Sequence, residues 1–194
     1  MVTPELVRSD NTQAIGVGKP RANRLEEQRR FLCAQKASEV LNSYVTQFPA
    51  PNVPPIEAEL IGARLYDLWF IVVDQDVLGS NVEGALLPDK KVVLISETCS
   101  TSGHFNFTCA HELGHWVLHN RRIRYIRQPK QQKFFEREAD IFAATLLMPG
   151  PWVRQAFMDS QGNVASLAHM FNVSAPAMQL RLKELGLNGH NASR

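Results

Sequence analysis

Residues 107–119 read FTCAHELGHWVLH. Phe107, Ala110, Leu113, Gly114, Val117 and Leu118 recur at helical spacing, which predicts a partly buried helix over about 105–119. An α-helix turns about 100° per residue, so His111 and His115, four apart, stack on one face. Two imidazoles presented that way can share one metal ion, and zinc is the usual choice for nitrogen ligands. Glu112 projects beside them, placed to take a proton from a water without being a ligand itself. The bare five-residue pattern is weak, because two histidines and a glutamate also occur on solvated helices. Gly114 adds weight: inside a helix it costs roughly 1 kcal/mol relative to alanine, which points to close packing or a crowded site. The apolar neighbours add more, since unpaired charge on a buried helix is costly and a metal relieves it.

A catalytic zinc takes three protein ligands and keeps one open position. The segment Glu136-Arg137-Glu138-Ala139-Asp140 begins 21 residues after His115, enough for a helix end, a loop and a return. On a helix Glu136 and Asp140 share a face. Glu136 can complete the ligand set, while Asp140 receives the far N–H of a ligand histidine and fixes its tautomer. Glu138 lies about 200° away from Glu136 around the helix and is the less favoured ligand. Taken alone, the segment reads as the solvated face of an amphipathic helix; paired with HELGH, the ligand reading wins. His119 extends the series 111, 115, 119, but the third histidine of the metzincin pattern falls six residues after the second. It reads instead as a basic residue at a helix C-terminus, favourably placed against the dipole. His104, His169 and His190 have no motif around them.

Working outward, residues 1–24 are polar, carry Gly16, Gly18 and Pro20, and read as a flexible tail. Phe31, Leu32, Val40, Leu41, Tyr44, Val45 and Phe48 mark an amphipathic helix over 25–48. Pro49, Pro51, Pro54 and Pro55 then form a stiff connector, with Pro55 suited to the first position of a second helix. Residues 68–73 read as a buried strand. Residues 84–87 and 92–96 flank Pro88-Asp89-Lys90 and read as a hairpin. After the 105–119 helix and an irregular basic stretch, a helix is expected over 134–147, ending before Met148-Pro149-Gly150, and then several short helices. Helix, small sheet, then helices is an α+β arrangement. The expected divisions are a tail at 1–24, helix and connector at 25–54, the site-bearing domain at 55–150, helices packed on it at 151–188, and a tail at 189–194.

With 194 residues the chain can hold one core of ordinary size. Its 44% hydrophobic and 21% charged residues match a soluble globular protein. The longest apolar run, residues 68–73, is too short to cross a bilayer, and no secretion signal is visible. Three cysteines without C-x-x-C spacing argue against a disulfide framework and a cysteine zinc knuckle, and favour a cytoplasmic setting. A formal charge of +2 implies no global attraction to nucleic acid.

The block FTCAHELGHWVLH, followed by EREADIFAATLLMP at 136–149, resembles the ImmA/IrrE zinc metallopeptidases. The resemblance covers about Pro55 to Leu187, and the second block is far more specific than the first. The segment 167–174, with Arg181-Leu182 and Leu185-Gly186-Leu187, is similar to the family's C-terminal end. One departure lies upstream, where the family commonly carries an arginine and this chain has His104 and Asn106. The resemblance implies a gluzincin-like fold with a small mixed sheet beside the HExxH helix. It implies His111, His115 and Glu136 as metal ligands, Glu112 as catalytic base, and one Zn2+ per chain, with Mn2+ as an alternative. It implies a cytoplasmic endopeptidase of bacterial, phage or mobile-element origin that cleaves a helix-turn-helix transcriptional repressor. The competing class is a non-proteolytic regulator, or a toxin–antitoxin-like partner, that retains the metal-binding fold.

Other features stay open at this level. Tyr125 is the nearest candidate in sequence for an oxyanion donor, and the strand 92–96 for pairing with a substrate backbone. Arg121, Arg122, Arg124, Arg127, Lys130 and Lys133 form a basic run that reads as a solvated loop, a dock for an acidic substrate surface, or a DNA contact. Residues 167–171, the turn Asn172-Val173, the N-cap Ser174 and Pro176 read like a helix-turn-helix. Its second helix offers Gln179, Arg181 and Lys183 to DNA, offset by Glu184, so packing is the favoured role and direct nucleic-acid binding is not expected. No membrane partner is expected, and the oligomeric state is left open.

Overall fold

A computed structural model describes residues 21–48, 53–99, 101–119 and 129–189. The tail at 1–20, Tyr125, and the basic run from Arg121 through Arg127 lie outside the described residues. The elements in order are α1 (Arg21–Gln47), α2 (Ala58–Tyr66), β1 (Trp69–Val73), α3 (Gln75–Leu78), β2 (Gly84–Leu87) and β3 (Val92–Ser96). There follow α4 (Ser102–His119), α5 (Pro129–Leu147), α6 (Gly150–Asp159), α7 (Val164–Phe171) and α8 (Ala175–Glu184). The result is a mostly helical α+β fold with a small mixed sheet.

The sheet order is β1-β3-β2, with β1 parallel and β2 antiparallel to β3. The hairpin expected at 84–96 is present, turned by a short 3-10 segment at Pro88–Lys90. Alternation along β3 sends Val93 and Ile95 to one face, where both are fully buried. They join a core built from Ile61 of α2, Ala110 and Leu113 of α4, and Phe142, Leu146 and Leu147 of α5. Between α2 and β1 the chain reverses at Asp67, held in the left-handed region at φ 57°, with its backbone N–H donating to the Ala63 carbonyl and that of Leu68 to the Gly62 carbonyl. The second helix begins at Ala58 rather than at Pro55. Its first N–H groups need an acceptor, and the buried side chain of Asn106 supplies one: Oδ1 accepts from Ala58 N at 3.1 Å. The same amide donates to Ile56 O at 2.8 Å and Asn172 O at 3.4 Å. One residue of α4 thereby ties the entry to α2 and the α7–α8 turn to the central helix.

Three helices run further than their apolar pattern suggests. The first starts at Arg21, the fourth at Ser102 and the fifth at Pro129. In each case the added N-terminal residues carry no apolar stripe: α5 has Pro at its first position, and α4 seats Gly103 against the Val173 backbone, with Thr101 Oγ1 accepting from His104 N at 3.2 Å. Among the described residues no helix is long and apolar enough to cross a membrane.

Candidate metal centre and cleft

On α4, His111 and His115 stand one turn apart, with ring centroids 4.7 Å and Nε2 atoms 3.0 Å from each other. α5 returns across them. Gly114 makes that crossing close: a Cβ there would lie 3.1 Å from Phe142 Cδ1 and 3.2 Å from the Ala139 backbone. From α5, Glu136 Oε2 reaches 3.2 Å from His111 Nε2 and 3.6 Å from His115 Nε2. Tetrahedral bonds of about 2.0–2.1 Å put neighbouring ligand atoms roughly 3.3 Å apart. The three separations bracket that value, so the donor set fits one zinc-sized ion. His111, His115 and Glu136 form a group of ligand atoms all within 4.8 Å of one another.

The electrostatics agree with a cation between these atoms. With protons alone to neutralise the cluster, burial opposes a charge on His111. Its hydrogen bonds with Asp140 and Glu136, helped by the Glu112 charge, outweigh burial and raise the imidazole to about 10. The hydrogen bond from His111 and the nearby His115 imidazole hold Glu136 well below the usual carboxylate range. Asp140 Oδ1 sits 2.9 Å from His111 Nδ1, where it can take that proton and leave Nε2 free to coordinate.

Glu112 is buried at 6% exposure and points to the cleft side of α4. Burial pushes its pKa up, against the opposing charges of His111 and His115. It fits there because position 84 of β2 is glycine: a Cβ would come within 2.8 Å of Glu112 Oε1. β2, with Asn81, Val82 and Glu83 leading into it, forms one wall of a cavity of about 660 Å³ whose floor holds His111, Glu112 and His115. β3 is the central strand. Pairing with a substrate backbone was expected of 92–96, but both edges of β3 are taken by its neighbours, and β2 is the edge strand at the cleft.

The structure thus brings His111, Glu112, His115, Glu136 and Asp140 around one point. Two residues set aside in the sequence join them. His119, read as a dipole-neutralising helix end, is instead 2% exposed and lies between His115 and Glu138. Glu138, read as pointing elsewhere, does leave the ligand cluster but lands on His119. The repeated four-residue spacing signalled this, since His119 stacks on His115 as His115 does on His111. Of the residues offered to DNA by α8, Arg181 is turned inward: Nε donates to Met148 O at 3.0 Å and Nη1 pairs with Glu184 at 3.2 Å.

No curated protein matches the chain. Among solved structures, a Mycobacterium tuberculosis transcriptional regulator superposes with a TM-score of 0.57 at 15% identity, over 81% of this chain and 46% of that one. The chain therefore spans less than half the length of that neighbour and shares its fold. The peptidase family model described as IrrE N-terminal-like domain matches residues 72–183, which run from β1 through α8 and include every residue of the cluster. The chain belongs to this IrrE N-terminal-like family and carries its metallopeptidase-like domain.

Proposed function

We propose that the chain is a zinc-dependent endopeptidase whose substrate is a helix-turn-helix transcriptional repressor. The observation that carries the reading is the convergence of three ligand atoms at 3.0–3.6 Å beside a buried carboxylate that ligates nothing. His111, His115 and Glu136 would hold the metal. When bound, zinc supplies a Lewis acid that lowers the pKa of a water and polarises a peptide carbonyl. Glu112 takes the water's proton and later gives it to the leaving amine. Burial raises its pKa above the ordinary carboxylate value, which strengthens it as a base. Asp140 keeps Nδ1 of His111 protonated so that Nε2 faces the site. The edge of β2 offers backbone groups to an extended peptide laid along the cleft.

The solved neighbour is a transcriptional regulator, which supports a regulatory role for this chain. The inward turn of Arg181 supports protein rather than DNA as the partner. Cytoplasmic residence is part of the same proposal. The test is incubation of zinc-loaded chain with any helix-turn-helix repressor whose gene adjoins its own. Cleavage by wild type and loss of at least a hundredfold in Glu112→Gln, with zinc retained, is the expected result. An intact repressor held in a stable complex would instead indicate a non-proteolytic regulator.

A further inference from the structure

His115 differs from His111 in how its far nitrogen is met. His111 Nδ1 faces a carboxylate directly, Asp140 at 2.9 Å. His115 Nδ1 faces another imidazole, His119 Nδ1, at 3.1 Å. Two imidazole nitrogens can bond only if one carries a proton and the other does not. The far side of His119 decides which. Its Nε2 lies 2.9 Å from Glu138 Oε2, and Arg29 of α1 approaches the other carboxylate oxygen at 3.4 Å. An ionised carboxylate accepts only, so a neutral His119 holds its proton on Nε2 and presents a bare Nδ1. His115 then donates from Nδ1 and keeps a lone pair on Nε2, the atom 3.0 Å from His111 Nε2 and 3.6 Å from Glu136. The reverse arrangement would put a hydrogen on His115 Nε2 and close it to any metal.

Among the described residues, the chain of bonds is enclosed. His119 is 2% exposed, and the Phe135 ring meets it edge-on at 4.5 Å between centroids. We infer that His119 and Glu138 are positioning residues that fix the tautomer and ring orientation of His115, and so prepare the metal centre before any metal arrives. The inference rests on the metal-centre reading above. Through Arg29 it also reaches α1, which lies outside the span matched by the family model.

The test uses the full chain. Imidazole nitrogen NMR of the metal-free wild type should show the proton on Nδ1 of His115 and on Nε2 of His119. Zinc affinity, measured against a competing chelator, should fall ten- to a hundredfold, roughly the effect of losing such partners, in His119→Phe. His119→Asn places Oδ1 where Nδ1 sits, still accepts, and should recover at least threefold of that loss. The cobalt-substituted form should show a shifted visible spectrum in His119→Phe and a near wild-type one in His119→Asn. If His119→Phe does not fold, Glu138→Leu, at a position on the rim of the buried pair, should lower zinc affinity at least threefold. The opposite tautomers, wild-type affinity in His119→Phe or Glu138→Leu, or equal losses in Phe and Asn variants would overturn the inference. A wild-type chain that binds no zinc would refute the proposed function, while the tautomers in the metal-free chain would still decide this point.

Discussion

Two helix pairs in this molecule solve opposite problems. α7 and α8 are joined by a tight turn at Asn172, in the left-handed region at φ 49°, and bury only apolar side chains: Val164, Leu167, Ala168, Phe171, Met178 and Leu182. Two of their polar residues do local work: Asn163 and Ser174 accept N-cap bonds from Ser166 and Ala177. α4 and α5 cross face to face and bury Asn106, Thr108, Glu112, His115, His119 and Thr145 among the apolar residues. Burying polar groups costs free energy unless each finds a partner. A chain that accepts this cost on one helix pair and avoids it on another distinguishes a site from a scaffold.

The largest break in the comparison should come from the scaffold. Phe171→Ala empties a fully buried position and should cost about 3–5 kcal/mol in denaturant unfolding. Zinc affinity of the molecules that remain folded should be unchanged; a parallel loss of affinity would mean the two pairs are not separable. Next comes the α4–α5 crossing. Gly114→Ala gains helix propensity, but its methyl meets Ala139 backbone that has little room to yield, so a net loss of about 1–3 kcal/mol is expected. Zinc affinity should fall with it, because α5 carries Glu136.

The third change has the opposite sign. Burial raises the Glu112 pKa above its ordinary value of 4.5, so the metal-free fold prefers the neutral acid. Its stability is full below pH 4.5 and declines as the pH rises through the folded-state pKa. Glu112→Gln should therefore stabilise the metal-free chain at pH 7 by about 0.5–2 kcal/mol, with the gain vanishing in acid. The smallest effect belongs to α8. Arg181→Met loses the bond to Met148 O and should cost about 0.5–1.5 kcal/mol without altering zinc affinity. A DNA-binding defect in that variant would reopen the reading of α8 as a reader of bases.

Much of this division was legible in the sequence because it rests on local spacing. His111 and His115, or Glu136 and Asp140, share a face for any helix of five residues or more. The hairpin announced itself through Pro88-Asp89-Lys90, and the α7–α8 turn through Ser174 and Pro176. What escaped depends on the crossing of elements distant in sequence. β3 looked like a substrate-pairing edge, and only the parallel pairing with β1 makes it central. His119 and Glu138 were each judged against the metal, whereas their relation is to each other, 19 residues apart on two helices. Gly84 and Asn106 carry no motif at all. Their roles appear only once β2 lies on Glu112 and α4 crosses the start of α2.

The central claim is that α4 and α5 together build one three-ligand metal centre. Zinc titration of the wild-type chain and of Glu136→Ala, with X-ray absorption at the metal edge, tests it most directly. The account predicts one tightly bound zinc per wild-type chain with two imidazole nitrogens and a carboxylate oxygen, and a large loss of affinity in Glu136→Ala. Substoichiometric binding, or the same affinity and coordination without the Glu136 carboxylate, would contradict it.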